Sequence, residues 1–474
     1  MTRILPVLGG LAMLVVIAAY PACSAPPAPD KPNVVLILAD DMRADDLKHT
    51  PETRSLLVDE GVTFENAFVT NSLCCPSRAT ILRGQYAHNH LIRDNKPPLG
   101  GWPVFRDRKR EYSTLATWLD GAGYETALVG KYMNHYRGSH VPPGWDRWFA
   151  ISGEPHPGEP YKINDDHALK TFTHAERDLT NLLADEAVSF MREAREPFFL
   201  YLAPRPPHRI AVPSPRHEDA YANTVYPNFP AYDEEDVSDK PSWVQDRERL
   251  TPEEHALADS LYRKRLRTLL DLDDLVRRVV AELEASGELE NTYIIFTSDH
   301  GYHLGEHRLV PVNEGRDSKQ SAYEEDIRIP LVVRGPGIPG NEARDDLVLN
   351  NDLAPTVARW AGVETPEFVD GRPLTSLLSG EVPRETPWRE SFTVEKWGDH
   401  LMSHDYRAVR TQTYIYVEYS NGERELYDLR NDPYQLRNVY DSADPSLLED
   451  LRQRLGALKD CAGDECRAAE NGGS

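Results

Sequence analysis

Between Leu73 and Gly84 the chain reads Leu73-Cys74-Cys75-Pro76-Ser77-Arg78-Ala79-Thr80-Ile81-Leu82-Arg83-Gly84, a run that combines a thiol, a helix start and a cation. Pro76 suits the first turn of a helix running to about Leu82, with Cys74 just before it. A side chain there stands in the positive field of the helix N-terminus, where an anion can also be held, and Arg78 projects near the same place. Standing alone, the run is equally a buried cysteine pair at an ordinary helix start.

Acidic residues supply the second chemistry. The apolar run Val34 to Ala39 ends abruptly in Asp40-Asp41, and the run Tyr293 to Thr297 ends in Ser298-Asp299-His300-Gly301. In an open α/β sheet, ligands bind beyond the carboxyl ends of the strands, where all three carboxylates would meet. Such a trio repels itself unless a divalent cation neutralises it, and an all-oxygen set favours calcium or magnesium over zinc. An Asp pair after a strand is by itself as often a cap or turn; the distant Asp299 tips the balance toward a metal.

Alternating strand and helix patterns supply the frame. Val34 to Ala39 is fit for a strand buried on both faces. A helix at Thr114 to Leu119 is broken by Gly121 and Gly123 before a strand at Thr126 to Val129. A helix at Asp185 to Ala194 leads into a strand at Phe198 to Leu202. A long amphipathic helix, Glu253 to Ala285, precedes the strand Tyr293 to Thr297; Pro330 to Val333 reads as a short strand and Leu353 to Trp360 as a helix. The order is α/β, with a large, mostly parallel or mixed sheet flanked by helices. After Pro373 the pattern changes to short antiparallel strands at Tyr406 to Val409, Tyr414 to Tyr419 and Glu425 to Leu429, then a helix at Pro445 to Leu458. These readings divide the chain into a main domain, 33–373, and a small C-terminal α+β subdomain, 374–474, without an internal repeat.

Composition limits the function. With 474 residues, 40% hydrophobic and 9% aromatic, the chain can bury a sizeable core. A formal charge of −24 argues against a nucleic-acid binder and disfavours long polyanions unless a local basic pocket overrides the average. Residues 1–23 read as an export signal: Arg3, an apolar run from Leu8 to Ala19, then Tyr20-Pro21-Ala22-Cys23. Cys23, followed by a Pro/Ala-rich linker over 24–32, resembles a bacterial lipoprotein attachment site, which would place the protein at the cell surface on a lipid anchor. Tyr20 departs from the aliphatic residue such sites prefer, so simple secretion stays open beside lipidation. Cys461 and Cys466 close a short loop suited to a disulfide in an oxidising compartment, whereas the adjacent Cys74 and Cys75 are poorly placed to bridge each other.

The Cys74 run resembles the signature of the formylglycine-dependent sulfatases, in which a cysteine is followed one residue later by Pro-Ser-Arg. The resemblance extends from Lys31 to about Val439 and is nearest in motif to N-acetylglucosamine-6-sulfatase-like members. It implies an alkaline-phosphatase-like core and conversion of Cys74 to formylglycine by a formylglycine-generating enzyme. Cys75 lacks the intervening residue, and Arg83 replaces the usual Ser or Thr before Gly84. Asp40, Asp41, Asp299 and His300 match the family's calcium ligands, with modified Cys74 completing the set and magnesium the lesser alternative. Asparagine is common where His300 stands; orienting a neighbouring ligand is the other role for this ring.

Further positions come from the same resemblance. Lys131 and Lys319 match the two lysines that hold the sulfate, Arg78 a third cation, and His208 the histidine facing the ester oxygen. Asp299 is placed to help deprotonate the nucleophile, and His208 or Lys319 to protonate the departing alcohol. Met133 stands where the family often has histidine, which points to Asn134 or His135 as contacts to the nucleophile. Gln85-Tyr86-Ala87-His88-Asn89-His90 and Arg93-Asp94-Asn95 resemble the stretch following the signature in glucosamine-6-sulfatases, so His90, Asn95 and Arg205 are candidates for a sugar pocket, or for a supporting loop. The implied substrate is a small sulfate ester, either an N-acetylglucosamine-6-sulfate-like sugar or an aryl or small alkyl sulfate. A phosphonate or phosphate monoester hydrolase is the nearest rival, and a non-catalytic lipoprotein that binds sulfated glycans the more distant one.

Overall fold

The chain divides into Met1–Asp30 and Lys31–Ser474; the second unit is described here from a computed structural model. Described are residues 2, 31–311, 318–383, 387–398 and 405–472. The export signal with Cys23 and nearly all of the linker therefore lie outside the described residues.

Strand β1 (Asn33–Ala39) is buried along its whole length, because it has parallel partners on both sides and covered faces above and below. It pairs with β8 (Phe198–Ala203) and β9 (Thr292–Ser298), so that Leu36 lies opposite both Tyr201 and Ile295. Strand β4 (Glu125–Gly130) joins β8 in parallel and β5 (Arg147–Ile151) follows it. The sheet then turns antiparallel through β6 (Tyr161–Asp165) and β7 (Ala168–Phe172). On the other side β10 (Leu331–Arg334) runs antiparallel between β9 and β2 (Val62–Phe64), with β11 (Glu342–Arg344) parallel to β2 at the edge. The ten-stranded order is β11-β2-β10-β9-β1-β8-β4-β5-β6-β7, parallel at its centre and mixed at its margins. A separate pair joins β3 (Ala67–Phe68) to β12 (Val348–Leu349).

Alternate residues of β1 feed opposite cores. Val34, Leu36 and Leu38 face the layer containing Ala79, Ile81 and Leu82 of helix Cys74–Arg83. Val35 and Ile37 face helices Leu179–Glu193 and Pro252–Ser286. The long helix begins in a capping box: Thr251 accepts from the Glu254 amide at 3.2 Å, while Glu254 receives the Thr251 amide at 2.8 Å. The hairpin β6–β7 carries no Asn-Gly signal in sequence; Asp166 and His167 take up the positive φ of its turn, at 43° and 74°.

Four antiparallel strands, β13 (Ser391–Lys396), β14 (Tyr406–Thr411), β15 (Tyr414–Tyr419) and β16 (Arg424–Asp428), form the second sheet, and helix Pro445–Leu458 packs against it. A disulfide joins Cys461 and Cys466, whose Cα atoms are 4.9 Å apart. Arg389, fully buried just before β13, ties this region inward: it pairs with Asp352 at 2.8 Å and with Glu470 at 2.8 Å. Removing the guanidinium leaves the buried Asp352 without this ion pair, while Glu470 keeps Arg372 at 2.7 Å. Arg389→Met is expected to cost about 3–5 kcal/mol of stability, read as a lowered urea midpoint; a midpoint matching the parent would show that Asp352 is compensated elsewhere.

Candidate active site

The carboxyl ends of β1, β9, β4 and β8 open onto one place, and backbone bonds lock these ends together. The Asp299 amide donates to the Ala39 carbonyl at 3.2 Å, the Asp41 amide to Asp299 Oδ1 at 3.0 Å, and the Asp40 amide to the Pro206 carbonyl at 3.2 Å. Asp41 accepts a φ of 65° to make the turn. Gly130 ends β4 at φ 119°, and a Cβ there would lie 2.1 Å from the Ala203 carbonyl oxygen. Only glycine allows this approach, which lets the Lys131 amide bond that same carbonyl at 2.8 Å and turns the side chain inward.

Cations interleave with the acids. Lys131 Nζ donates to both oxygens of Asp40, at 2.7 and 2.8 Å, and Lys319 Nζ to both of Asp41, at 3.0 and 3.2 Å. Arg78 Nε meets Asp299 Oδ2 at 2.8 Å, its Nη1 donates to the Lys131 carbonyl at 2.9 Å, and its Nη2 lies 3.5 Å from Asp40. Arg205 comes within 3.5 Å of Asp40, and His208 Nε2 within 3.6 Å of Asp41.

The helix carrying Cys74 starts one residue earlier than the sequence suggests. Leu73 is the extended N-cap residue, and the Ser77 amide bonds its carbonyl at 3.0 Å, so Cys74 opens the first turn and Pro76 stands third. Leucine has no capping oxygen; Asn95 supplies one from another segment, Oδ1 accepting the Cys75 amide at 2.8 Å. Cys74 is 1% exposed. Its Sγ lies 3.2 Å from His300 Nε2 and 3.7 Å from Lys319 Nζ. His300 Nδ1 donates to the Gly301 carbonyl at 2.8 Å, which turns Nε2 toward Cys74 and Asp41, 3.1 Å from Asp41 Oδ1.

The field separates the two cysteines. Burial pushes both thiols up; at Cys74, Lys131, Lys319 and His300 reverse this and lower it, whereas Cys75, facing the core, rises to about 12. Burial also opposes ionisation of Asp40, but Lys131, His208, Arg205 and Arg78 hold it well below the usual carboxylate range. Lys319, and likewise Asp41 beside it, stabilises its charge: the ammonium is raised and the carboxyl lowered despite burial. His208 is pushed well down, chiefly by burial. His300 goes the other way; Asp299, Cys74 and Asp41 outweigh burial and bring it to about 10. These directions describe a site rich in negative charge at its floor and in fixed positive charge around it.

The donor set fits a hard divalent cation. Donor atoms of Asp40, Cys74 and Asp299 lie within 4.8 Å of one another, as do those of Asp41, Cys74 and His300, and of Asp40, Asp41 and His208. The carboxylate oxygens suit calcium or magnesium, with a ring nitrogen each from His300 and His208 beside them.

Other sequence candidates stand differently. His90 is fully buried and spends both ring nitrogens on its own surroundings, Nε2 with Thr80 Oγ1 at 3.0 Å and Nδ1 with the Ile92 amide at 3.0 Å. It braces the helix that carries Cys74, and neither ring nitrogen is left for a sugar. Asn95 likewise spends its oxygen on the helix start. Asn134 is half-buried and His135 exposed, the latter at φ 62°. Two neighbours of the site escaped sequence reading. Glu154, 3.1 Å from Arg205 Nη1, comes from the β5–β6 connection and carries no motif. Arg265 on the long helix donates to the Asp41 carbonyl at 2.8 Å and to Asp46 at 2.7 Å. Its signal was present: an arginine in register with Tyr262 and Leu269 on an apolar stripe needs a buried partner.

A mixed sheet with helices on both faces, its strand ends gathering acids and cations around a helix-start thiol, defines an alkaline-phosphatase-like α/β hydrolase. The chain belongs to the sulfatase family, a family of sulfuric ester hydrolases: the sulfatase domain matches residues 32–363, and the N-sulphoglucosamine sulphohydrolase C-terminal domain matches 313–460. It is 33% identical over 482 residues to human N-acetylglucosamine-6-sulfatase, covering 92% of this chain and 86% of that protein. An extracellular sulfatase SULF-1 homolog of Drosophila melanogaster is 35% identical over 379 residues; the match covers 78% of this chain but only 33% of that longer protein. A structure solved with its substrate, D-glucosamine-2-N,6-O-disulfate, superposes with a TM-score of 0.76 at 25% identity, over 90% of this chain and 97% of the other.

Calcium in hundredfold excess over its Kd is expected to stabilise the wild-type protein by about 2.7 kcal/mol relative to the same protein in chelator, and Asp299→Asn to lose most of that gain. Melting curves that coincide with and without calcium would remove the ion from this site.

Proposed function

We propose that this chain hydrolyses sulfate monoesters with a formylglycine made from Cys74, and that its substrate class is the 6-sulfated glucosamine sugars. The observation that carries the reading is the surroundings of Cys74 Sγ, with His300 Nε2 at 3.2 Å, Lys319 Nζ at 3.7 Å and three carboxylates beneath. Asp40, Asp41, Asp299 and His300, with the modified side chain, would hold Ca2+, which supplies charge neutralisation to a sulfuryl group. The hydrated aldehyde supplies a nucleophilic hydroxyl and a second hydroxyl through which sulfate can leave.

The chain's own groups do the rest. Arg78, Lys131 and Lys319 fix positive charge before substrate arrives, so little reorganisation accompanies the build-up of charge on the sulfuryl oxygens. Asp299 is held by Arg78 and the Asp41 amide, in range to take the proton of an attacking hydroxyl at the position of Sγ. Lys319, beside Asp41, and His208, at the rim, are the two groups able to deliver a proton to the departing alcohol oxygen.

Burial of Cys74 bears on maturation, since a modifying enzyme has to reach it before the fold closes over it. We read the protein as exported, with 1–23 as its signal and Cys23 as a lipid attachment site; the Cys461–Cys466 bond supports an oxidising destination. Among the described residues no helix is long and apolar enough to cross a membrane. The division at 373/374 is supported by the strands: every strand of the large sheet lies before it and every strand of the small sheet after it. The sugar class rests on similarity to the human N-acetylglucosamine-6-sulfatase.

The tryptic peptide Ser55–Arg78 from active protein is expected to show an aldehyde in place of the Cys74 thiol, and Cys74→Ala to lower turnover about 10³-fold or more. Lys319→Ala is expected to lower kcat about 10²- to 10³-fold. Active protein whose peptide carries only thiol would end the formylglycine reading; turnover of aryl sulfate without turnover of N-acetylglucosamine 6-sulfate would end the sugar reading alone.

A further inference from the structure

The segment that caps the catalytic helix also carries an arginine, Arg93, that forms no close ion pair among the described residues. Arg93 stands two residues before Asn95, and its guanidinium lies over the Trp397 ring, 4.6 Å from the centroid. Arg407, from β14, lies over the same ring at 3.9 Å. One indole therefore holds two guanidinium groups; Arg407 spends Nη1 on the Lys396 and Tyr406 carbonyls, at 3.2 and 2.9 Å, which leaves Nη2 and the edge of Arg93 to bind something else.

Glu395 and Asp405 are the acids within electrostatic reach of Arg93, and neither makes a close ion pair with it. Arg93 forms no ion pair among the described residues, and its Nε is buried without a hydrogen-bond partner. Arg407 Nε comes no nearer than 3.6 Å to Glu395. That carboxylate is already taken by His88, whose Nδ1 lies at 2.6 Å and whose amide lies at 3.2 Å. Burial, and then Arg407, push the Arg93 guanidinium down from its ordinary value. A chain of net charge −24 gathers two like charges here at a cost that an anion would offset.

The pair is also close to the proposed reaction centre. Trp397 follows Glu395 by two residues; the Glu395 amide donates to the Thr70 carbonyl at 2.9 Å, and its carbonyl accepts Asn71 Nδ2 at 2.8 Å. Asn71 precedes Cys74 by three residues, a chain span of at most about 11 Å. Arg93 reaches the same helix start through Asn95. Both arginine-bearing segments are thus tied to the start of the Cys74 helix, one through Asn71 and the other through Asn95.

We propose that Arg93 and Arg407, stacked on Trp397, form a subsite for a second anionic group of the substrate, beyond the sulfate that is cleaved. The group is an oxyanion, a sulfate or a carboxylate, on the same sugar or on its neighbour; the assignment rests on the sulfated-sugar reading above. Recognition is through charge-assisted N–H donors of two planar groups, which a lysine reproduces only in part.

Three substrates separate the cases: N-acetylglucosamine 6-sulfate, glucosamine N,6-disulfate, and a disaccharide with a uronic acid linked to 6-sulfated glucosamine. The wild-type enzyme is expected to favour at least one doubly anionic substrate in kcat/KM. Arg93→Gln is expected to cost that substrate about ten- to hundredfold more than the singly sulfated sugar, through KM, with Arg93→Lys recovering part. The favoured substrate tells whether the second anion sits on the same ring or the next. Equal losses on all three, or none, would overturn the subsite. If only aryl sulfates are turned over, the sugar reading falls by itself. The subsite is then decided by an aryl sulfate bearing a remote carboxylate against its neutral parent: a selective loss in Arg93→Gln sustains it, and equal behaviour overturns it.

Discussion

Three carboxylates at the ends of two neighbouring parallel strands are the constraint on which the rest depends. Asp40, Asp41 and Asp299 cannot ionise together in a buried place unless positive charge is brought to them. The chain brings it from every side: Lys131 from the end of β4, Arg205 and His208 from beyond β8, Arg78 from the catalytic helix, Lys319 from the turn before Tyr323. Each arrives on a different element, so the sheet order, the helix position and the turn are all tied to one electrostatic requirement. The same arrangement holds the Asp40 and Asp41 carboxyls below their ordinary range and fixes the cations in place, as a site for a divalent cation and an anionic ester requires.

Much of this was legible in sequence because it sits where periodicity is strong. The apolar runs of β1 and β9 stop at the acids, so element and chemistry are announced together, and the boundaries of helix Leu353–Trp360, strand Tyr414–Tyr419 and helix Pro445–Leu458 agree to the residue. The antiparallel margin was not legible. Strand β7 is exposed along most of its length and the β6–β7 turn lacks glycine, so neither alternation nor turn chemistry marks it. Direction is also invisible in a short apolar run: β10 reads as another strand of the series, yet it runs antiparallel.

The supporting residues show a different limit. Asn95 and His90 were candidates for a sugar pocket or for a supporting loop, and the fold employs them in holding the helix that carries Cys74. Leucine at the N-cap leaves an orphan amide, and a cap delivered from a separate segment cannot be read from local spacing. His303 illustrates the same point at Lys319. Its amide bonds the Ser318 carbonyl at 2.8 Å and its ring lies 2.9 Å from Ser321 Oγ, bracketing the lysine on both sides. Ser72, two residues before Cys74, donates to the Ser321 carbonyl at 3.0 Å. Cys74 and Lys319 are thus joined by a chain of short contacts.

Charge distribution links the site to what it can accept. A net charge of −24 spread over the molecule opposes the approach of any polyanion, while the cations that would bind one are sunk among the acids of the site. Attraction therefore acts at contact distance, where burial weakens screening, and scarcely at long range. A small ester with one or two anionic groups can lose its water and meet Arg78, Lys131 and Lys319 directly. A long sulfated chain would carry its remaining charges across an acidic exterior, so the arrangement favours the end of a short glycan over the middle of a long one.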